Sequence, residues 1–276
     1  MRWVATITLS GLMLLAAAVL GAKEEESETA KAPRPPPPGE AAGEVELLAI
    51  RDGERLLLKE GQPLRFAAIR APYPPIGQSL GRWPPVQVLS RRIEELAVDG
   101  LILYPASRDD RYGNRMANLW SLKEKVWLAE VLAGEGLAMV APRALFAPEY
   151  APVVAAERLA REAGLGIWSN PAHKVLCADD AYDGIDQLRV VQGRILETAV
   201  VSGNLFLNFG ADWRRDFTLR LKAGRGKRRT EQLDLAQELR AHVIEVRGWI
   251  YYYGGPAIDL DNLGQITLVA PGAEKC

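Results

Sequence analysis

Short runs of alternating or continuous apolar residues occupy residues 45–50, 55–59 and 64–69. Asp52-Gly53 and Gly61-Gln62-Pro63 separate these runs, and both segments are typical of tight turns. Prolines 72, 74 and 75 then end the third run. A helix is predicted over 84–98, because two prolines open it and its apolar residues recur on one face. The pattern therefore predicts a three-stranded meander that leads into an amphipathic helix.

Further elements extend this first module to about residue 172. Strands are predicted at 101–104 and 116–120, on either side of a turn over 109–114. Helices are predicted at 126–132 and 149–163, each ending at glycine, and Gly166-Ile167-Trp168 closes the module. This order of elements predicts a five-stranded OB-fold-like barrel decorated with about three helices.

A second set of apolar runs begins after residue 185. Strands are predicted at 189–196, 200–209, 217–222, 241–252 and 265–269, with a short helix at 231–239. Five strands and one helix again resemble an OB-type barrel. The predicted fold class is therefore mainly β (α+β), with two OB-fold-like five-stranded barrels. Their predicted domains are 45–172 and 185–271.

The first 44 residues differ in composition from both modules. A mostly apolar run over 1–22 predicts an export signal, with a retained membrane anchor as the alternative. Residues 23–44 are rich in proline, glutamate and alanine, which predicts a disordered linker. We expect the remainder to be periplasmic or secreted, or anchored in the inner membrane and facing the periplasm. Membrane contact is expected only through the N-terminal segment.

Charge and rare residues narrow the classes of function. The net charge of −1 argues against binding nucleic acid through global basicity. With two histidines in the chain, a histidine-rich metal site or a Ser-His-Asp hydrolase is poorly supported. Export permits a disulfide between Cys177 and Cys276, and two unpaired thiols remain the alternative.

Four short motifs occur in an order that resembles the staphylococcal nuclease (thermonuclease) family. They are Asp52-Gly53 with the strand after it, Arg65 with Ala71-Pro72, Asp110-Arg111-Tyr112-Gly113, and Gly166-Ile167-Trp168. In that family two aspartates hold a calcium ion. This ion, a glutamate and two arginines together carry out phosphodiester hydrolysis. The resemblance implies that the first barrel is a nuclease-like domain.

Most of the family's catalytic positions are substituted in this chain. The resemblance places Glu54 and Arg70 at the calcium aspartates, Tyr73 at the glutamate, and Arg65 and Asn114 at the two arginines. A guanidinium repels a divalent cation, and a phenol with an ordinary pKa of about 10 is a poor base at neutral pH. No catalytic residue and no cofactor is therefore predicted. Calcium, held through Glu54, is expected only in an active nuclease.

The arginines that remain predict an anion-binding face. The candidates are Arg55, Arg65, Arg70 and Arg115. The alternative is a solvated face on which Arg65 pairs with Glu54. We expect a catalytically inactive, exported nuclease-like protein that acts as a binding or scaffold module in the cell envelope. Its partner would be an unknown envelope protein or an anionic ligand.

Two other functions remain open at this stage. The first is metal-dependent hydrolysis of phosphodiester bonds in DNA or RNA. The second is binding of single-stranded nucleic acid by the second module, where aromatic residues and arginines interleave over 208–217 and 225–229.

Overall fold

The computed structural model describes residues 35–276, apart from residues 60, 62, 75–76, 107–108, 111–112, 241 and 273–275. The predicted signal or anchor, the linker up to residue 34, Arg111 and Tyr112 lie outside the described residues. No helix within the described part is both long enough and apolar enough to cross a bilayer. The two main sheets belong to one compact unit.

The first sheet and its associated elements occupy residues 43–169. The strands are β1 (Gly43–Val45), β2 (Leu47–Arg51), β3 (Arg55–Leu58), β4 (Pro63–Phe66), β5 (Ile69–Arg70), β6 (Leu101–Pro105), β7 (Arg115–Ser121), β8 (Val126–Trp127) and β9 (Met139–Val140). The helices are α1 (Pro84–Leu96), α2 (Leu128–Gly134) and α3 (Ala151–Glu162). Shorter 3-10 turns lie at Leu80–Arg82, Pro142–Phe146, Pro148–Tyr150 and Gly166–Ser169.

The strand order of this sheet explains its curvature. The order is β1-β6-β7-β4-β3-β2, with β8 beside β7, and one residue, Glu46, separates β1 from β2 along the chain. A single bent segment therefore lies at both edges, and the sheet curls into an OB-like barrel. β4 and β7 are parallel, whereas β5 and β9 form a separate antiparallel pair.

The second sheet repeats this topology. Its elements are β10 (Leu176–Cys177), β11 (Gln187–Arg194), β12 (Glu197–Val201), β13 (Asn204–Asn208), β14 (Thr218–Lys222), α4 (Lys227–Leu239), β15 (Val243–Tyr253), β16 (Gly255–Leu260) and β17 (Ile266–Leu268), with 3-10 turns at Pro171–His173, Ala178–Gly184 and Leu263–Gln265. The order is β10-β11-β15-β16-β14-β13-β12, with β17 beside β15. β11 and β12 form the bent first strand, β14 and β16 are parallel, and α4 precedes β15 as α1 precedes β6.

The predicted fold class is confirmed, but several of the predicted elements were wrong. The strand predicted at 200–209 is a hairpin that turns at Ser202-Gly203, where both residues have positive φ. β16 was missed, and it forms the fifth barrel strand in place of the predicted 265–269 strand, which is the peripheral β17. The helix predicted from residue 126 begins at Leu128, because Val126 and Trp127 pair with β7. The predicted domain boundaries stay predictions.

The last residue of the chain is held by a disulfide. Cys177 and Cys276 are bonded, with Cα atoms 5.4 Å apart. Cys177 ends β10, which pairs in parallel with β11. The disulfide therefore attaches the C-terminus to the edge of the second sheet.

Candidate functional site

The turn between β2 and β3 positions the first side chain of the site. Asp52 and Gly53 have φ of 58° and 67°, the backbone conformation for which Asp-Gly turns are favoured. A Cβ at Gly53 would lie 2.8 Å from Val86 Cγ1 of α1, so the turn packs closely on the helix. The chain then directs Glu54 inward, where it is 6% exposed.

Glu54 is held on both carboxylate oxygens. Oε1 accepts the Ala71 N–H at 3.0 Å, and Oε2 is paired with the Arg65 guanidinium. Arg65 also donates to Asp110 Oδ2 at 3.2 Å. Burial lowers the pKa of Arg65, but the two carboxylates outweigh it and leave this pKa above its usual value. Glu54, Arg65 and Asp110 thus form an ionic cluster.

Asp110 is the member of this cluster that the sequence did not single out as a site residue. It lies in the loop between β6 and β7, where its carboxylate accepts the Asn114 backbone N–H at 2.9 Å and the side-chain amide at 2.7 Å. Aspartate is common in turns, because its carboxylate can accept hydrogen bonds from N–H groups a few residues later in the chain. The sequence could therefore have suggested this role of Asp110. Asn114 is therefore fixed by the loop.

Arg70 does not extend into the cluster. Its Nη1 donates to the carbonyl oxygens of Phe66 at 2.9 Å and Ile69 at 2.7 Å. Burial lowers the pKa of Arg70, and the negative charge of Glu54 partly offsets this effect. The guanidinium carries a positive charge that attracts the Glu54 carboxylate, and its hydrogen bonds stabilise the end of β4.

Tyr73 connects the two modules. Its ring packs edge-to-face on Trp249 of β15, with ring centroids 5.3 Å apart. Burial, followed by the nearby charge of Glu54, raises the pKa of the phenol. Tyr73 is therefore neutral and engaged in packing at neutral pH.

Several of these side chains line a cleft of about 410 Å³. It is lined by Asp52, Glu54, Arg55, Arg65, Tyr73, Leu80 and Asn114. Of the predicted anion-binding candidates, Arg55 and Arg65 line it, whereas Arg70 and Arg115 are not among its lining residues. Arg55 is paired with Asp52, to which its Nε donates at 3.1 Å. Each arginine of the cleft thus has a carboxylate partner.

The residues at this locus do not fit a calcium ion. Calcium takes six to eight oxygen ligands, and both oxygens of Glu54 already accept hydrogen bonds from nitrogen donors. Arg70 adds a positive charge nearby. Across the described ranges, no cluster of three or more His, Cys, Asp or Glu side chains is arranged to hold a metal.

The topology and the loop-built cleft define an OB-type barrel with a polar site between the β2–β3 and β6–β7 loops. Residues 88–170 match the family model described as staphylococcal nuclease homologue, so this part of the first barrel is similar to a staphylococcal nuclease domain. The matched segment includes Asn114 but begins after Glu54, Arg65, Arg70 and Tyr73. The assignment of all five residues to the family's catalytic positions stays a prediction. No curated protein matches the chain.

Proposed function

We propose that this chain is an exported nuclease-like protein that has lost phosphodiester hydrolysis and acts as a binding or scaffold module in the cell envelope. One observation carries the loss of activity: the carboxylate of Glu54 is neutralised by Arg65 and bonded to the Ala71 N–H, with the cationic Arg70 close by. A divalent cation at this position would have to displace these donors and approach a like charge.

The environment of Tyr73 supports the same proposal. A general base must reach the proton that it removes and must have a pKa near the working pH. The Tyr73 phenol has a raised pKa, and its ring is packed against Trp249. The position that the resemblance assigns to the family's glutamate therefore serves contact between the two modules.

A small anion is the ligand that we propose for the cleft. The Arg65 Nε is buried and has no hydrogen-bond acceptor in the described part of the chain, although the other guanidinium nitrogens are paired. A buried donor without an acceptor costs about 1–3 kcal/mol, and an anionic oxygen could recover this cost once the Arg65 side chain turns its Nε toward the cleft. The half-exposed Arg55 lines the same cleft and could contribute a second donor.

Calorimetric titration tests the two parts of the proposal separately. We expect no saturable heat with calcium, and weak binding of inorganic phosphate that falls by about tenfold in Arg55→Ala and Arg65→Ala. Arg225→Ala, an exposed arginine of the second module, is the control and should bind phosphate as the parent does. Saturable calcium binding that disappears in Glu54→Ala would contradict the loss of the metal site. If both cleft variants bound phosphate as the parent does, the proposed anion site would be contradicted, and the conclusion about calcium would be unaffected.

Export is tested on the protein recovered from its own cells. We expect it outside the cytoplasm, with Cys177 and Cys276 oxidised, because disulfides persist in oxidising compartments. A reduced chain recovered from the cytoplasm would contradict this part of the proposal.

A further inference from the structure

The outer face of strands β14, β15 and β16 carries a cluster that we name the aromatic platform: Arg220, Trp249, Tyr251, Tyr253 and Asp259. Alternate residues of a strand share one face, so Trp249, Tyr251 and Tyr253 point outward while Ile250, 0% exposed, points into the barrel core. Arg220 lies opposite Asp259 in the parallel pair of β14 and β16. Three aromatic rings and one ion pair therefore share one side of the sheet.

The rings of this platform remain accessible to solvent. Trp249 is 44% exposed and Tyr253 is 50% exposed, although Trp249 also touches Tyr73. Large exposed aromatic side chains that lie together mark interaction sites in soluble proteins. The platform therefore has the exposure expected of a ligand-binding surface.

Hydrogen bonds order Arg220, Tyr251 and Asp259 at the centre of the platform. Arg220 Nε and Nη2 each donate to Asp259 at 2.7 Å, and the Tyr251 hydroxyl donates to Asp259 Oδ1 at 2.6 Å. The Arg220 guanidinium lies 5.0 Å from the Tyr253 ring centroid and 5.7 Å from that of Tyr251. Side chains that are already ordered lose less conformational entropy when a ligand binds.

The charges of this region balance, which disfavours a polyanion. Arg220 is matched by Asp259 within the platform. The neighbouring loop over 210–217 carries two arginines and two aspartates. This loop lies against the β15–β16 turn, because a Cβ at Gly255 would be 2.8 Å from the carbonyl carbon of Arg215. Without net positive charge, the salt-dependent attraction that dominates nucleic-acid binding is weak.

We infer that the aromatic platform binds an uncharged oligosaccharide. Sugar rings offer apolar C–H faces that can stack on Tyr253 and Trp249, and hydroxyl groups that can hydrogen-bond to Asp259 and Arg220. Trp249 and Tyr253 are four residues apart on one strand, about 13 Å, which suits a chain of sugars better than a single ring. OB-type barrels can bind oligosaccharides as well as oligonucleotides, and the balanced charge favours the former here. The inference supplies a ligand for the proposed binding role on a second surface, which meets the cleft at the contact between Trp249 and Tyr73.

Titration of the full-length exported form with neutral tetrasaccharides tests this inference. The ligands are chitotetraose, cellotetraose and maltotetraose, with a single-stranded oligothymidylate for comparison. Binding is measured by calorimetry and by tryptophan fluorescence. We expect at least one tetrasaccharide to bind with an affinity that is insensitive to salt. Tyr253→Ala should weaken it about tenfold, the size of one lost stacking contact, and Tyr253→Phe should retain it. Tyr182→Ala removes a similarly exposed tyrosine outside the platform and should have no effect.

Three results would overturn the inference. They are no binding of any tetrasaccharide at millimolar concentration, binding that Tyr253→Ala leaves unchanged, and salt-dependent binding of the oligothymidylate that Tyr253→Ala abolishes. The last result would assign the platform to nucleic acid. Because Tyr253 does not line the cleft, these results would leave the conclusions from the calcium and phosphate titrations unchanged.

Discussion

At the scale of single residues, a buried ion pair joins the two modules. Glu157 of α3 and Arg247 of β15 are each 2% exposed and are joined by bonds of 2.7 and 2.6 Å. Arg247 also donates to the Val140 carbonyl at 2.7 Å, and the Val140 N–H donates to Glu157 at 2.7 Å. Because the charges are well paired, removal of one of them should leave the other buried without compensation.

Glu157→Gln tests this pair with almost no change in side-chain volume. We expect the free energy of unfolding in urea to fall by about 3 kcal/mol or more, since Arg247 keeps its charge and loses its counterion. Arg143→Gln breaks the exposed pair with Asp261 and should cost no more than about 1 kcal/mol. Equal losses in the two variants would contradict the importance of burial.

His173 should make stability depend on pH. Burial, together with the charge of Arg189, lowers the pKa of the folded-state imidazole to about 4 from its ordinary value of 6.5. The unfolded chain therefore takes up a proton at a higher pH than the folded protein, and stability should fall as the pH drops from about 6.5 to about 4. The full loss is up to about 3 kcal/mol.

Urea unfolding between pH 7 and pH 4 measures this effect. His173→Gln should flatten the decline, whereas His242→Gln, a change at an exposed histidine, should leave it as in the parent. A decline of the same slope in all three proteins would assign the pH dependence to other groups.

Some of these residues left a signal in the sequence. Glu157 lies on the same face of α3 as the buried Val153 and Ala160, and a lone carboxylate among apolar positions indicates a buried partner. Nothing in the sequence indicates that this partner is Arg247, because it lies 90 residues further along the chain. The pairing of Arg65 with Glu54 was one of two alternatives in the sequence, and it depends on the adjacency of β3 and β4. Pairing between distant elements is the information that local patterns lack.

At the scale of elements, the clearly periodic segments were predicted well. The helix predicted at 84–98 is α1, which places Val86, Leu89 and Ile93 against the first core. β16 was missed because Gly254-Gly255-Pro256 indicates the end of a strand. In the structure Gly254, at φ 79°, makes a tight turn, and Pro256 pairs with Tyr252 of the preceding strand. The first barrel could thus be predicted more fully than the second.

The disulfide that joins β10 to the C-terminus should contribute strongly to stability. It closes a loop with a sequence separation of 99 residues, and long loops lose the most entropy in the unfolded chain when they are cross-linked. We expect the Cys177→Ser, Cys276→Ser double variant to be less stable by about 2–4 kcal/mol. Thermal melts with and without reductant measure this. Reductant should lower the melting temperature of the parent and leave that of the double variant unchanged; a parent that is indifferent to reductant would contradict the prediction.

At the scale of the whole molecule, two barrels of the same topology are held together by contacts of several kinds. A bidentate pair joins Arg161 to Glu245 at 2.6 and 2.7 Å, beside the buried pair of α3 and β15. Tyr73 packs on Trp249, and Met139, Ile167, Leu188 and Val190 form a small apolar cluster between the modules. These contacts favour cooperative behaviour of the two barrels.

Native-state hydrogen exchange tests this cooperativity. We expect the slowest amides of β7 and of β15 to exchange with similar free energies of opening, because unfolding of either barrel breaks the buried Glu157–Arg247 pair and exposes the apolar cluster between the modules. In Glu157→Gln the two sets should separate. Different free energies in the parent would show that the barrels open independently.

A degradation assay measures most directly whether the protein hydrolyses nucleic acid. Purified protein is incubated with single- and double-stranded DNA and RNA, in calcium or in EDTA, and the products are resolved by size. We expect intact nucleic acid in every mixture, because the Glu54 carboxylate is paired with Arg65, Arg70 places a positive charge nearby, and Tyr73 is a packed, neutral phenol. Calcium-dependent degradation by the parent that disappears in Glu54→Ala would contradict it.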